Sequence, residues 1–316
     1  MAGAMKVGVV GAGAVGSACL MSLVLRGSAR EIVIVDRTRK RALAVATDLR
    51  YGAALSPPVD IRDGDYADLA GSALVMVTAG VNEKSGGATD RADPTGRLKL
   101  LDANLGVYRD ILPSIFQAAP EAVILVVTDP PDPLADFVRS FGFKRVLSSG
   151  TFLDSLRFRF HLAQRLKVDP TSVHAQVLGE HGTSEVLVWS TARVAGVPVF
   201  QALRSLGQGG EELRTSIERE VRYANIAIIE GNQASQYGIG IASARIAEAV
   251  LRDERIVIPI GSYNPNYGVT LSVPSVLGRE GVVKILEPEL AENERQALQR
   301  SAETLKSALA HMKQKG

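Results

Sequence analysis

A chain of 316 residues has length for about two domains and a sizeable core, and 36 Lys and Arg against 34 Asp and Glu leave a formal charge of only +2. That balance excludes a global field drawing the protein to nucleic acid or to an anionic membrane surface. The single cysteine, Cys19, excludes an internal disulfide framework and a cysteine metal cluster and fits a reducing cytoplasm, and no stretch is apolar for long enough to span a membrane.

The apolar run from Lys6 to Leu25 is punctuated by Gly8, Gly11, Gly13 and Gly16 without a clear small-residue cleavage site, so it reads as fold rather than secretion signal. Short β-branched runs at Lys6–Val10, Glu31–Val35, Val59–Arg62, Ala73–Thr78, Ala122–Thr128 and Arg145–Ser148 predict strands. Helical patterns from Ala14, Thr38, Leu98 and Pro133 fall between most of them. Such alternation predicts right-handed βαβ crossovers, and hence an α/β fold with a doubly wound parallel sheet of the Rossmann type over residues 1–149. The rhythm changes near Thr151, and a mixed α+β domain carrying the substrate chemistry is expected over 150–316. There the pattern predicts a helix at Phe152–Leu166, antiparallel strands at Ser172–Leu178 and Leu187–Val194, and helices at Glu211–Gly231 and Ser243–Leu251. A hairpin of Ile256–Ile260 with Val269–Pro274 and a charged amphipathic helix at Pro288–Lys313 complete the chain.

Gly11-Ala12-Gly13-Ala14-Val15-Gly16 leaves the first strand and opens the first helix, and Asp36 ends the next strand twenty positions after Gly16. Gly11 permits a tight turn, Gly13 lets backbone approach a pyrophosphate, and Gly16 lets helix and strand pack closely. The helix opening at Ala14 and Val15 offers free N–H groups and the positive end of its dipole to phosphates. A bare GxGxxG also occurs as an ordinary glycine-rich turn; strand, helix and distal acid together select the dinucleotide. Asp36 suits a ribose 2′-hydroxyl and repels a 2′-phosphate, which favours NAD over NADP. Against it, Arg37, Arg39, Lys40 and Arg41 read either as a solvated basic face or as a phosphate-attracting cluster.

Further along come Val77-Thr78-Ala79-Gly80, Arg97, Gly150-Thr151-Phe152-Leu153-Asp154-Ser155, Arg157, Gly179-Glu180-His181-Gly182 and Ser272-Val273-Pro274-Ser275-Val276-Leu277-Gly278. Taken singly, Asp154 and Arg157 serve equally well as a helix-start ion pair, and His181 as a loop histidine with its bonds satisfied. In this order, the set resembles the lactate/malate dehydrogenase family across essentially the whole chain. The resemblance implies a cytoplasmic homodimer or homotetramer that moves a hydride between NADH and a small 2-keto acid. Helices such as Ala14–Leu25 and Glu211–Gly231 would lie at its interfaces, and Thr78, Ala79 and Gly80 would line the cofactor. The residue types support this chemistry, because reducing a ketone leaves an alkoxide that needs a proton and a histidine near neutral pKa is a natural donor. His181 takes that role, Asp154 fixes its tautomer, Arg157 grips the substrate carboxylate through two parallel N–H bonds, and Arg97 polarises the ketone from a closing loop. His161, His174 and His311 match no motif and read as structural, and no set of His, Asp and Glu has metal-ligand spacing.

Three departures from that pattern bear on the substrate. The segment from Gly80 to Arg97 is roughly eight residues longer than the short loop of the family. Its end, Ala92-Asp93-Pro94-Thr95-Gly96-Arg97, resembles the loop of L-2-hydroxyisocaproate dehydrogenase, a branch that accepts larger apolar side chains. Counting from Ala79-Gly80 puts Glu83 at the place that faces the substrate side chain, where it repels a second carboxylate; a different register folds Arg91 into the same spot and restores a malate-type substrate. In Thr128-Asp129-Pro130-Pro131-Asp132 an aspartate replaces the family asparagine that serves ketone and nicotinamide, so Asp129, if ionised, places negative charge beside the developing oxyanion. This substitution also allows a catalytically weak NAD-binding protein. Ser235 stands for a threonine at the substrate edge, and Gly238 and Gly240 suit a roomy pocket floor.

Overall fold

The computed structural model describes residues 5–93 and 95–314, so Pro94 of the loop motif lies outside the described residues. In chain order the first half comprises β1 (Lys6–Val10), α1 (Ala14–Arg26), β2 (Glu31–Val35), α2 (Arg39–Ala53), β3 (Asp60–Asp63), β4 (Leu74–Val77), α3 (Leu101–Ala118), β5 (Val123–Val126), α4 (Pro131–Phe141) and β6 (Val146–Ser148). The strands lie parallel, and β4 and β5 are buried at every residue, as expected of sheet interior covered on both faces. One apolar cluster joins Val7, Val9 and Ile34 to Cys19, Leu20 and Leu23 of α1. Another joins Val75, Val77 and Val126 to Leu105, Tyr108 and Leu112 of α3.

The second half comprises α5 (Phe152–Leu166), β7 (Val173–Leu178), β8 (Val186–Val194), β9 (Val197–Pro198), α6 (Val199–Ser205), α7 (Glu211–Arg222), α8 (Ala224–Asn232), α9 (Tyr237–Leu251), β10 (Ile256–Asn264), β11 (Val269–Gly278), β12 (Gly281–Ile285) and α10 (Glu292–Gln314). Among the described residues, nine strands form one sheet in the order β12-β11-β10-β6-β5-β4-β1-β2-β3, and β7-β8-β9 form a second. The antiparallel ribbon β10–β12 continues the parallel sheet through the pairing of Gly261 with Ser148. Among the described residues no helix is long and apolar enough to cross a membrane.

Most predicted elements agree with the structure to within a few residues, but the helix expected from Ser243 begins at Tyr237, and the short elements β9 and α6 have no counterpart in the sequence reading. The helix expected from Leu98 begins at Leu101, after a 3₁₀ turn over Gly96–Leu100. The segment Glu211–Gly231 is two helices, because Tyr223 leaves helical geometry at ψ 15°. The hairpin strands extend to Asn264 and Gly278, and β12 went unpredicted because its outer-edge position needs no clean alternation of apolar residues. Gly240 is no pocket floor: a Cβ there would stand 2.6 Å from the backbone of Ala18, so this glycine lets α9 pack onto α1.

Candidate active site

In a sheet ordered β3-β2-β1-β4-β5-β6, the winding reverses between β1 and β4, and ligands bind in the crevice beyond those strand ends. Gly11 has φ +104°, and a Cβ there would lie 2.6 Å from the amide nitrogen of Ala79, so the turns after β1 and β4 meet backbone to backbone. Thr78 Oγ1 ties them together, donating to the Gly11 carbonyl at 2.8 Å. A Cβ on Gly16 would stand 2.0 Å from that same carbonyl oxygen, whereas Gly13 has no heavy atom within 4 Å of its Cβ position and faces the cleft. The Asp36 carboxylate accepts the N–H groups of Ala12 and Thr38, each at 2.8 Å, and still has lone pairs for a hydroxyl. Such a cradle fits the diphosphate and ribose of a dinucleotide. Of the neighbouring cations, Arg39 is held by Asp63 and Asp65, while Arg37 and Arg41 line the cleft.

Next to this cleft lies a cavity of about 160 Å³, lined by Gly13, Ala14, Val15, Thr78, Gly80, Glu83, Arg97, Asp129, Arg157, His181 and Ser235 among others. Asp154 stands in the first turn of α5, where the helix dipole favours a carboxylate, and Arg157 follows one turn later on the same face. Asp154 Oδ2 lies 2.5 Å from His181 Nδ1, and Asp154 Oδ1 accepts from Arg157 Nη1 at 2.7 Å. The other ring nitrogen of His181, Nε2, is 3.7 Å from Asp129 Oδ1, and Arg97 Nε is 3.4 Å from Asp129 Oδ2 and 3.8 Å from Glu83 Oε1. A single run of charge contacts therefore leads from Arg157 through Asp154, His181, Asp129 and Arg97 to Glu83.

Burial sets the electrostatics. It penalises the imidazolium of His181 most, and Arg97 adds to that penalty, yet the charge and hydrogen bond of Asp154 together with Asp129 carry the pKa above the ordinary histidine value. Asp154 is fully buried too, but the charges of His181, Arg157 and Arg97 hold it far below the carboxylate range. Burial and then repulsion from Asp129 raise Glu83, against Arg97 and a 3.2 Å hydrogen bond from Asn225. A hydrogen-bonded His–Asp pair of this kind can keep one imidazole nitrogen directed and deliver a proton from the other.

The expected site residues reach one of the two cavities or, as Asp154 does, stand directly behind it, except Gly16, which packs beneath the Gly11 carbonyl, and Arg91. Arg91 lies outside and makes two hydrogen bonds to Glu230, at 2.7 and 3.0 Å. Sequence reasoning missed four contributors. Asn104 joins the loops after β4 and β5 by bonds to Val81 and to the Asp129 carbonyl; a polar residue on the apolar face of α3, between Leu101 and Leu105, was the available signal. Asp132 accepts the backbone N–H of His181 at 2.8 Å and the hydroxyl of Ser148 at 2.5 Å, and burial pushes it up to about 7. Asn225 is turned inward by the break between α7 and α8, and nothing in its sequence surroundings marks it. Glu185, buried behind Asp154, is pushed up to about 8 by burial and then by the Asp154 charge.

Residues 5–145 match the family described as lactate/malate dehydrogenase, NAD binding domain, and residues 151–315 the corresponding alpha/beta C-terminal domain. L-lactate dehydrogenase of Thermus aquaticus is 47% identical over 312 residues, covering 96% of this chain and 98% of its own. The L-lactate dehydrogenase of Deinococcus radiodurans is 46% identical over 304 residues, with 96% and 97% covered. Among solved structures, a lactate dehydrogenase from a Medee basin deep-sea metagenome superposes with a TM-score of 0.90 at 34% identity, covering 99% of this chain and all of its own.

Proposed function

The chain belongs to the lactate/malate dehydrogenase family and has its NAD-binding domain, and on that premise we propose that it is an NAD-dependent L-2-hydroxy acid dehydrogenase acting on monocarboxylic substrates that are lactate-like or carry a larger apolar or extended side chain. The observation that carries the reading is the 2.5 Å His181–Asp154 pair, whose histidine lines with Arg97 and Arg157 the cavity that Gly13 also borders. NADH, when bound, supplies the hydride that reduces the keto carbon and leaves as NAD. Arg157 holds the substrate carboxylate, for which its planar fork offers two parallel donors. Arg97, whose Nε has no hydrogen-bond partner, takes the ketone oxygen. His181 Nε2 gives its proton to that oxygen as the alkoxide forms, and Asp154 stabilises the imidazolium beforehand and orients the neutral ring afterwards. Run backwards, the same groups oxidise the alcohol, with His181 as base.

A carboxylate at Glu83 and the outward pairing of Arg91 disfavour a dicarboxylate, so the malate-type alternative lacks its required cation at the loop. The protein is further proposed to work in the cytoplasm as a homo-oligomer. Met21 and Leu25 on α1 and Tyr237 and Ile241 on α9 form an exposed apolar face suited to a second copy. NADH oxidation over a panel of 2-keto acids tests the activity: turnover of pyruvate or a longer monocarboxylate above oxaloacetate supports it. Preferential reduction of oxaloacetate, or of no 2-keto acid, overturns it.

A further inference from the structure

The run of contacts across the cavity puts a carboxylate clamp, Arg157, at one end, the proton donor His181 in the middle, and the carboxylate of Glu83 at the other end. A 2-keto acid held by Arg157 with its ketone at His181 and Arg97 therefore extends its side chain toward Glu83. The charges around that end are unbalanced. Arg157 is already paired with Asp154, and Arg97 alone faces both Glu83 and Asp129. Counting these five groups, two cations stand against three anions once His181 has given up its proton.

Two further observations argue that the arrangement awaits a ligand rather than closing on itself. Arg97 is only 7% exposed, yet its Nε stands 3.4 Å from Asp129 Oδ2 and 3.8 Å from Glu83 Oε1 and makes a hydrogen bond to neither, so it leaves both carboxylates room for a further donor. The break between α7 and α8 brings Asn225 to Glu83 Oε1 at 3.2 Å, holding the carboxylate at the cavity wall.

We infer that Glu83 is the recognition group for a cation on the substrate side chain, and that the preferred substrates are 2-keto acids whose side chain ends in a guanidinium or ammonium group. This rests on the dehydrogenase reading above. A guanidinium matches a carboxylate through two parallel N–H bonds, and its charge offsets the excess negative charge at the Glu83–Asp129 end. The reaction is unchanged: the keto carbon gains the hydride from NADH, its oxygen gains the His181 proton, and the cation takes no part in bond making.

The test compares 2-keto-5-guanidinopentanoate with 2-ketooctanoate, an uncharged chain of similar reach, with pyruvate as reference, by NADH oxidation. The expected kcat/KM ratio of guanidino acid to octanoate is at least about tenfold, and Glu83→Gln is expected to lower that ratio by about tenfold or more. Because both substrates are read in one protein, partial misfolding cancels. Calorimetry with 2-hydroxy-5-guanidinopentanoate on NADH-saturated protein, where no turnover occurs, should show the same loss in Glu83→Gln. A ratio of one or less in the wild type, or a ratio that Glu83→Gln leaves unchanged, overturns the inference while the dehydrogenase reading stands. Failure to reduce pyruvate and every other 2-keto acid overturns both.

Discussion

Asp129 is the residue whose chemistry conflicts with reduction of a simple keto acid. Its carboxylate lies 3.7 Å from the proton-donating nitrogen of His181, and a like charge at about 4 Å costs a developing oxyanion about 4 kcal/mol at an effective dielectric near 20. Arg97 offsets part of that. Asp129→Asn is therefore expected to raise kcat for pyruvate by about tenfold, a gain that stopped-flow or steady-state NADH oxidation would detect. A slower Asn variant on every substrate would instead mean that the aspartate is adapted to this site. For His181 the sign follows from its raised pKa. The imidazolium needed for reduction persists above the usual histidine range and is lost as pH rises through the folded value, so reduction should hold through neutral pH and then fall. Asp154→Asn removes the main stabilising charge, moving that fall to lower pH and cutting kcat by about two to four orders of magnitude. A kcat/KM profile against pH, measured on both proteins, checks the shift.

At the scale of elements, what could be read in advance was what depends on local pattern. The strand–turn–helix around Gly11 to Gly16 and the placement of Asp154 and Arg157 on one face of α5 follow from spacing alone. The inward turn of Asn225 and the outward pairing of Arg91 do not, because both depend on where a long loop and a broken helix settle against each other. Asp132 and Asn104 lie between these cases: a polar residue on an apolar face signals a partner without saying which. The close contact of α1 with the β1 turn gives a prediction here. Gly16→Ala puts a methyl 2.0 Å from the Gly11 carbonyl oxygen, so strand and helix must part, at a cost of about 1–3 kcal/mol from overpacking. NADH affinity, titrated by fluorescence, should fall at least tenfold, and the thermal midpoint should drop with it; an unchanged affinity would mean that the turn does not shape the cofactor cleft.

For the whole molecule, buried acids contribute to the dependence of stability on pH. Burial raises Glu185 to about 8 and Asp132 to about 7, so the folded state holds protons that the unfolded chain has released. Their contribution is full below the unfolded carboxylate range and is lost as pH rises through the folded values. Denaturant unfolding should accordingly show stability declining between about pH 5 and 8, and Glu185→Gln should flatten the decline, since the amide has no proton to lose. A decline of equal slope in that variant would remove Glu185 from the account. The joining of β10 to β6 has a consequence of its own. One sheet runs through both halves and α9 is seated on α1 at Gly240, so swinging the halves apart would have to break both contacts. Passage of ligands is then expected to fall to the long segment between Gly80 and Arg97, and the rate of product escape would follow the same residues proposed above to choose the substrate.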